Sequence, residues 1–153
     1  MSVTVTIPEG LQYVAGAVLF TVVVIQGLSQ TVSRYRKHAG IPYPQMYAEK
    51  AEVEKSRDAL LFNCAQRAHQ NMLEQIPLFY ATTVISGLKY PIPTAAAAVV
   101  WNISRITYAR GYLTGDPNNR TSLVYHCGTL CIAGIVVSAF VATGGWILSG
   151  LNV

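Results

Sequence analysis

One long segment without charge sets the strongest limit on how this chain can fold. Residues 11–32 contain no charged side chain and are rich in Val, Leu, Ala and Gly. At about 1.5 Å per residue, a helix over this segment crosses a hydrocarbon core of about 30 Å. No Lys or Arg precedes it, so it lacks the basic start of a signal peptide and is predicted to be a retained membrane span.

Three further apolar segments follow, at residues 59–87, 94–114 and 123–148. Residues 34–58 are predicted to form a solvated loop, because charged side chains and two prolines fall there. Residues 89–93 contain two prolines and residues 115–119 read GDPNN, and both patterns indicate turns. Only 12% of the 153 residues are charged, against about 25% in soluble domains. The sequence therefore predicts an all-α, integral membrane four-helix bundle in a single domain over residues 1–153.

The basic residues are unevenly distributed and predict an orientation. All eleven Lys and Arg lie between Arg34 and Arg120, mostly in the first loop and around the third. Basic residues favour the cytosolic side of short loops, so these two loops are predicted to be cytosolic and both termini lumenal. The net charge of +4 reflects this bias at the membrane boundary, and no nucleic-acid partner is predicted.

Polar side chains on the second and third spans form two stripes. At 100° per residue, five hydrogen-bonding groups share one face of the second span: Asn63, Arg67, Gln70, Asn71 and Glu74. By the same rule, the third span carries Trp101, Arg105, Tyr108 and Tyr112 within about 60° of one another. Both stripes lie in the predicted cytosolic half, at the level of the basic groups Arg36, Lys37 and Arg120.

The cost of intramembrane charge predicts which way these stripes point. A charged side chain at a helix centre costs about 2.5–3.5 kcal/mol on insertion scales. Arg67, Glu74 and Arg105 are therefore predicted to face a bundle interior, a wet cavity or a subunit seam. The excess of cations suits a small anion with several carboxylates, and Glu74 suits an ammonium group. An Arg67–Glu74 pair that only holds helices together is the alternative.

Two motifs resemble a known family. Residues 62–71 read FNCAQRAHQN, followed by Leu73, Glu74 and Pro77, while residues 105–112 read RITYARGY before TGDP at 114–117. The first motif resembles the second-span signature of the microsomal glutathione transferases, above all their type 3 branch. These enzymes belong to the family of membrane-associated proteins in eicosanoid and glutathione metabolism. The second motif resembles the end of that family's third span.

The resemblance implies a homotrimer in the endoplasmic reticulum or nuclear envelope, with glutathione bound between protomers near the cytosolic face. It implies conjugation of glutathione to lipophilic electrophiles or reduction of lipid hydroperoxides in the membrane lipid, with no metal. A non-catalytic lipid-binding or scaffold protein of the same fold is the alternative. The implied glutathione contacts are Arg36, Lys37, Arg67, Gln70, Asn71, Glu74, Arg105, Tyr108 and Tyr112.

The family's thiol-activating arginine follows the third span, where Arg120 is the basic residue of this chain. Arg120 is therefore expected to be the catalytic residue. Arg110 is its competitor, although it lies about 180° from Tyr108 and Tyr112 by helical phase. The phenol of Tyr108 is a further candidate for the partner of the thiol.

Overall fold

The computed structural model describes residues 7–150, and every regular element in this range is helical. The predicted lumenal ends at residues 1–6 and 151–153 lie outside the described residues. The elements in chain order are α1 (Leu11–Ala39), α2 (Lys50–Lys55), α3 (Arg57–Lys89), α4 (Pro91–Tyr112), a 3-10 turn (Pro117–Arg120) and α5 (Leu123–Gly150).

The prediction of an all-α membrane bundle is confirmed. The four long helices α1, α3, α4 and α5 pack side by side, and α2 is a short helix between α1 and α3. Within residues 7–150, α1 and α5 are long and apolar enough by composition to cross a membrane. Both expose large apolar side chains, such as Leu19 on α1 and Phe140 on α5, at 65% and 74%. Such surfaces are stable against lipid rather than water.

The first helix is longer than its uncharged segment. It continues through the basic residues to Ala39, so residues 34–39, predicted as loop, are helical. It ends at Gly40, which takes a left-handed φ of 66° that glycine tolerates. The amides of Gly40 and Ile41 donate to the carbonyls of Lys37 and Arg36. Basic side chains in a last turn also complement the negative end of the helix dipole.

The predicted loop and turn after α1 and α3 are also more ordered than expected. Residues 50–55 form α2, which begins with a reciprocal capping box between Glu49 and Glu52. Residues 89–93 were predicted as a turn, yet Tyr90 alone separates α3 from α4. Pro91 and Pro93 lie in the first turn of α4, where a missing amide hydrogen breaks no helical bond.

The core lies between the four long helices. The rings of Phe79 on α3 and Trp101 on α4 stack with centroids 4.2 Å apart, and Met72 is fully buried in the same cluster. Helix α5 contributes a narrow seam of Gly128, Ile135, Ala139 and Ala142. Small residues let the helix backbones approach closely, as in other membrane bundles.

Candidate functional site

The antiparallel packing of α3 and α4 brings the two predicted stripes together. The first half of α3 lies beside the last half of α4, since Tyr90 alone joins the helices at the other end. A continuous series of polar and aromatic contacts runs from α3 across α4 to the 3-10 turn. We call this set the polar cluster; it comprises Arg67, Asn71, Glu74, Arg105, Tyr108, Tyr112 and Arg120.

An ion pair forms the α3 end of the polar cluster. Nη1 and Nη2 of Arg67 donate to the two carboxylate oxygens of Glu74 at 2.8 and 3.4 Å. Asn71 donates to the same carboxylate from Nδ2 at 3.5 Å. The side chains of Arg67 and Glu74 remain 43% and 45% exposed. Both charges of the pair can therefore still be reached by a ligand or by another protomer.

Arg105 occupies the centre of the polar cluster and is buried, at 5% exposure. Its Nη2 donates to Oδ1 of Asn71, and its guanidinium carbon lies 4.4 Å from the centroid of the Tyr108 ring. Its Nε is buried and finds no hydrogen-bond partner among residues 7–150. In the same part of the chain, the ion pairs within 4 Å are Lys50–Glu54 and Arg67–Glu74. Arg105 is thus a buried cation without a carboxylate.

Contacts between aromatic rings connect the α4 part of the polar cluster with the turn. The ring of Tyr108 meets Tyr112 edge-on and stacks on Tyr125 of α5, both at centroid distances of 5.2 Å. The guanidinium carbon of Arg120 lies 5.8 Å from the Tyr112 centroid. Nη1 of Arg120 donates to the carbonyl of Pro117 within the turn. The sequence did not single out Tyr125, because α5 has no polar stripe to mark one face.

Gln70, the remaining predicted contact on α3, binds the loop between α1 and α2, because its Oε1 accepts a hydrogen bond from the hydroxyl of Tyr47. Burial raises the pKa of Tyr47 above its ordinary 10.0, and the Arg67 charge acts in the opposite direction. Asn63 fixes the next residue of this loop, since its side chain exchanges two hydrogen bonds with the backbone of Ala48 at 2.7 and 2.9 Å. The sequence did not indicate Tyr47, because helical phase places residues on a helix face and Tyr47 lies in a loop.

The predicted α1 contacts lie apart from the polar cluster. Arg36 is buried, and its Nη1 donates to the carbonyls of Gln45 and Pro42 at 2.6 and 3.5 Å. Its guanidinium lies over the rings of Tyr43 and Phe62, at 4.3 and 4.5 Å from their centroids. Arg36 therefore holds the loop after α1 in place. The cations of the polar cluster come from α3, α4 and the turn, and the implied contact from α1 is not among them in the described chain.

Two further cations that the sequence offers for the site are Lys37 and Arg110. Lys37 is exposed at the end of α1. Arg110 is exposed and lines a groove between α1 and α4, together with Leu28 and Ile106. Its guanidinium thus belongs to the α1 side of α4, whereas Tyr112 and Arg120 belong to the other side. This placement agrees with the helical phase and separates Arg110 from the polar cluster.

A large apolar cavity lies elsewhere. A volume of about 700 Å³ opens between the start of α4 and the middle of α5, lined by apolar residues such as Ala97, Ile135 and Val141. None of the predicted site residues lines it. Residues 7–150 contain no group of three or more His, Cys, Asp or Glu side chains that could hold a metal ion. The polar cluster therefore remains the site with the clearest chemistry.

Fold and polar cluster together define a helical membrane protein with a cluster of cationic and aromatic side chains between α3, α4 and the turn. The model of the MAPEG family matches residues 14–141. The chain therefore belongs to the MAPEG family, the membrane-associated proteins in eicosanoid and glutathione metabolism. It is a membrane protein of that metabolism, and its family uses glutathione.

Proposed function

We propose that this protein is a membrane-bound glutathione transferase and peroxidase, of the type 3 microsomal branch, that binds glutathione at the polar cluster. It conjugates glutathione to lipophilic electrophiles or reduces lipid hydroperoxides. The proposed location is the endoplasmic reticulum or nuclear envelope, with the polar cluster at the cytosolic face. The observation that carries the proposal is the buried guanidinium of Arg105, which has no carboxylate partner in the described chain.

An unpaired buried cation calls for an anion. A guanidinium has five N–H donors, and Arg105 uses one of them on the neutral amide of Asn71. Burying a charge is unfavourable unless it is paired and hydrogen-bonded. A ligand carboxylate beside Arg105 would supply both the negative charge and the hydrogen-bond acceptors that the guanidinium of Arg105 lacks.

The charges of the α3 ion pair fit the rest of the tripeptide. Glutathione carries two carboxylates and one ammonium group. Arg67 and Arg105 supply two cations, and Glu74 supplies the anion that an ammonium group needs. When the ligand binds, the Arg67–Glu74 ion pair would separate, or the Glu74 carboxylate would accept hydrogen bonds from both Arg67 and the ligand's ammonium group. Asn71 contacts both Glu74 and Arg105. It would therefore fix the position of Glu74, proposed to bind the ammonium group, relative to Arg105, proposed to bind a carboxylate.

The exposure of the ion pair supports a homotrimer. Arg67 and Glu74 are 43% and 45% exposed on a helix that we place in the membrane. Charges that face lipid are unfavourable, so a neighbouring protomer is proposed to cover this face and complete the site. Lys37, exposed at the end of α1, is available to such a neighbour, whereas Arg36 is occupied within its own chain.

We propose Arg120 as the residue that stabilises the thiolate. A free thiol has a pKa of about 8.5, and lowering it by two to three units requires about 3–4 kcal/mol. One guanidinium about 4 Å from the sulfur supplies about 4 kcal/mol at an effective dielectric of 20. Arg120 has hydrogen-bond donors left beside its Pro117 contact. Arg110 is disfavoured by its place in the α1–α4 groove, and the Tyr108 phenol remains the alternative partner.

The chemistry follows from the thiolate. In conjugation, the sulfur electron pair forms a bond to an electrophilic carbon, and the leaving group departs with its bonding pair. In peroxide reduction, the sulfur attacks the terminal oxygen of the hydroperoxide, the O–O bond breaks, and the leaving alkoxide takes one proton from water to become the alcohol. A second glutathione thiol then displaces water from the resulting sulfenic acid and gives glutathione disulfide. Lipophilic substrates would reach the site sideways from the bilayer.

The test combines binding with turnover in detergent-solubilised protein. We expect equilibrium binding of glutathione, together with turnover of a chlorinated nitrobenzene or of a fatty-acid hydroperoxide. Arg105→Met is expected to weaken binding by about 100-fold or more, and Arg120→Ala to retain binding but lose the ultraviolet absorbance of the thiolate. Arg110→Met is the matched control, because it removes an arginine of α4 outside the polar cluster.

Three results would contradict the proposal. The absence of glutathione binding by the wild-type protein would leave the non-catalytic lipid-binding or scaffold alternative. Wild-type thiolate absorbance and turnover in Arg120→Ala would remove the assigned role of that residue. Equal losses in Arg110→Met and Arg105→Met would show that the effect is not specific to the polar cluster.

A further inference from the structure

The backbone of the 3-10 turn lies directly against α4 at Gly111. A Cβ atom added to Gly111 would lie 2.7 Å from Cα of Arg120 and closer still to the carbonyl oxygen of Asn119. Carbon atoms that are not bonded to each other prefer separations of about 3.5–4.0 Å. The φ of Gly111 is not in the left-handed range. Glycine is therefore required here by space and not by backbone conformation.

The atoms that exclude a side chain at Gly111 belong to the backbone of the turn. A flexible side chain could rotate away, but a backbone carbonyl moves only with its segment. The turn is also braced internally: Thr114 donates to the carbonyl of Gly111 at 2.8 Å, and Asn119 donates to the Thr114 hydroxyl at 3.1 Å. Asp116 accepts from the amide of Asn118 at 2.9 Å. A side chain at Gly111 would thus displace the turn as a unit.

We infer that Gly111 is a positioning residue, which docks the turn against α4 and so holds the guanidinium of Arg120 at the Tyr112 end of the polar cluster. The inference rests on the proposed function for the role of Arg120. Gly111 itself touches no substrate in this scheme. Its contribution is the absence of a side chain where α4 meets the backbone of residues 119 and 120.

The size of the effect follows from the required displacement. Restoring a normal carbon–carbon separation moves the turn by about 1 Å. Moving a guanidinium from about 4 Å to about 5 Å from the sulfur destabilises the thiolate about fourfold at an effective dielectric of 20. We therefore expect Gly111→Ala to lower kcat at neutral pH about fourfold or more and to raise the pKa of bound glutathione. KM for glutathione should stay within about twofold, because Arg67 and Arg105 are untouched.

The experiment uses the full chain in detergent and a matched control. Gly134→Ala adds the same methyl group to α5 at a glycine with nothing within 4 Å, and it should behave as wild type. Three readouts are compared: kcat and KM for glutathione, the pH dependence of thiolate absorbance, and the rate of tryptic cleavage between Arg120 and Thr121. Gly111→Ala should accelerate this cleavage several-fold, because an undocked turn is more accessible. Pro117→Gly, which loosens the turn without adding atoms, is measured in parallel and keeps the test valid if Gly111→Ala does not fold.

A double-mutant cycle decides whether Gly111 acts through Arg120. In the Arg120→Ala background, adding Gly111→Ala should cause no further loss of kcat. An undiminished further loss, or wild-type cleavage and thiolate titration in Gly111→Ala, would overturn the inference. If the wild-type protein does not turn glutathione over, the proposed function fails by itself. The cleavage rates then still decide whether Gly111 docks the turn.

Discussion

Replacing Arg105 by methionine is expected to separate the ligand site from the stability of the fold. Arg105 is 5% exposed and makes one hydrogen bond, to Asn71, within residues 7–150. A hydrogen bond to a charged group contributes about 1.5–3 kcal/mol, whereas burying an ion costs several kcal/mol. Methionine fills a similar volume without this cost. We therefore expect the free energy of unfolding to stay unchanged or to rise by about 1 kcal/mol in Arg105→Met.

The same substitution is expected to weaken glutathione binding by about 100-fold or more. The estimate takes two charge-assisted hydrogen bonds to a ligand carboxylate at the low end of their range, which together contribute about 3 kcal/mol. An increase in stability together with a loss of binding is the signature of a residue retained for its ligand. A purely structural arginine would instead leave the protein less stable when it is removed.

Arg36→Met is the matched comparison, because Arg36 is also a buried arginine. Its Nε also lacks a partner in the described part of the chain, but its guanidinium donates to two backbone carbonyls and lies over two aromatic rings, whereas Arg105 donates to one amide and lies over one ring. With these additional contacts, loss of Arg36 should cost about 2–4 kcal/mol. For a chain of this size, that lowers the unfolding midpoint by about 4–16 °C. Thermal unfolding in detergent, followed by tryptophan fluorescence, and equilibrium dialysis with labelled glutathione give the two measurements. A midpoint for Arg105→Met as low as that of Arg36→Met would refute the reasoning.

Two further predictions concern packing and pH. Gly128→Ala should lower the unfolding midpoint, because its methyl group would overlap the side chain of Ser104. Adding Ser104→Gly to this variant should restore the midpoint. Gly134→Ala is the control and should have no effect, because Gly134 has no atom within 4 Å of an added Cβ. Burial raises the pKa of Tyr47 in the folded protein above its ordinary value of 10.0. The folded state therefore binds the phenol proton more tightly than the unfolded state does. As the pH rises above 10.0, the free energy of unfolding is expected to fall, because the unfolded state ionises first. The free energy of unfolding, measured between neutral and strongly alkaline pH, should therefore fall more steeply above this value in the wild type than in Tyr47→Phe, which also lacks the bond to Gln70. Parallel pH dependences in the two proteins would contradict the raised pKa of Tyr47.

The sequence predicted the helices well where hydropathy and helical phase act together. The stripes on α3 and α4 meet as expected, and Arg105 reaches Asn71 across the two helices. Hydropathy marks where a helix leaves the membrane and not where it ends, so α1 was predicted to end before its basic residues although it continues to Ala39. In the same way, Pro91 and Pro93 indicated a turn, yet proline is compatible with the first turn of a helix.

The parts of the site that escaped prediction depend on how loops fold back. The partners of Arg36 are carbonyls of residues 42 and 45, and their position follows from a loop conformation that no periodicity describes. The contact between Tyr47 and Gln70 has the same origin. The requirement for glycine at residue 111 arises from two backbones that meet only after the turn has docked. Such contacts are set by tertiary structure and leave little trace in local sequence.

The single-residue joint at Tyr90 has a consequence for biosynthesis. Among residues 7–150, α1 and α5 pass the composition test for a membrane span, and α3 and α4 do not. Because Lys89 ends one of these helices and Pro91 begins the next, we expect them to close into a hairpin as soon as both have been synthesised. Their charged and amide side chains can then pair with one another before they meet lipid. The two least hydrophobic helices are thus expected to enter the bilayer together, as one insertion unit.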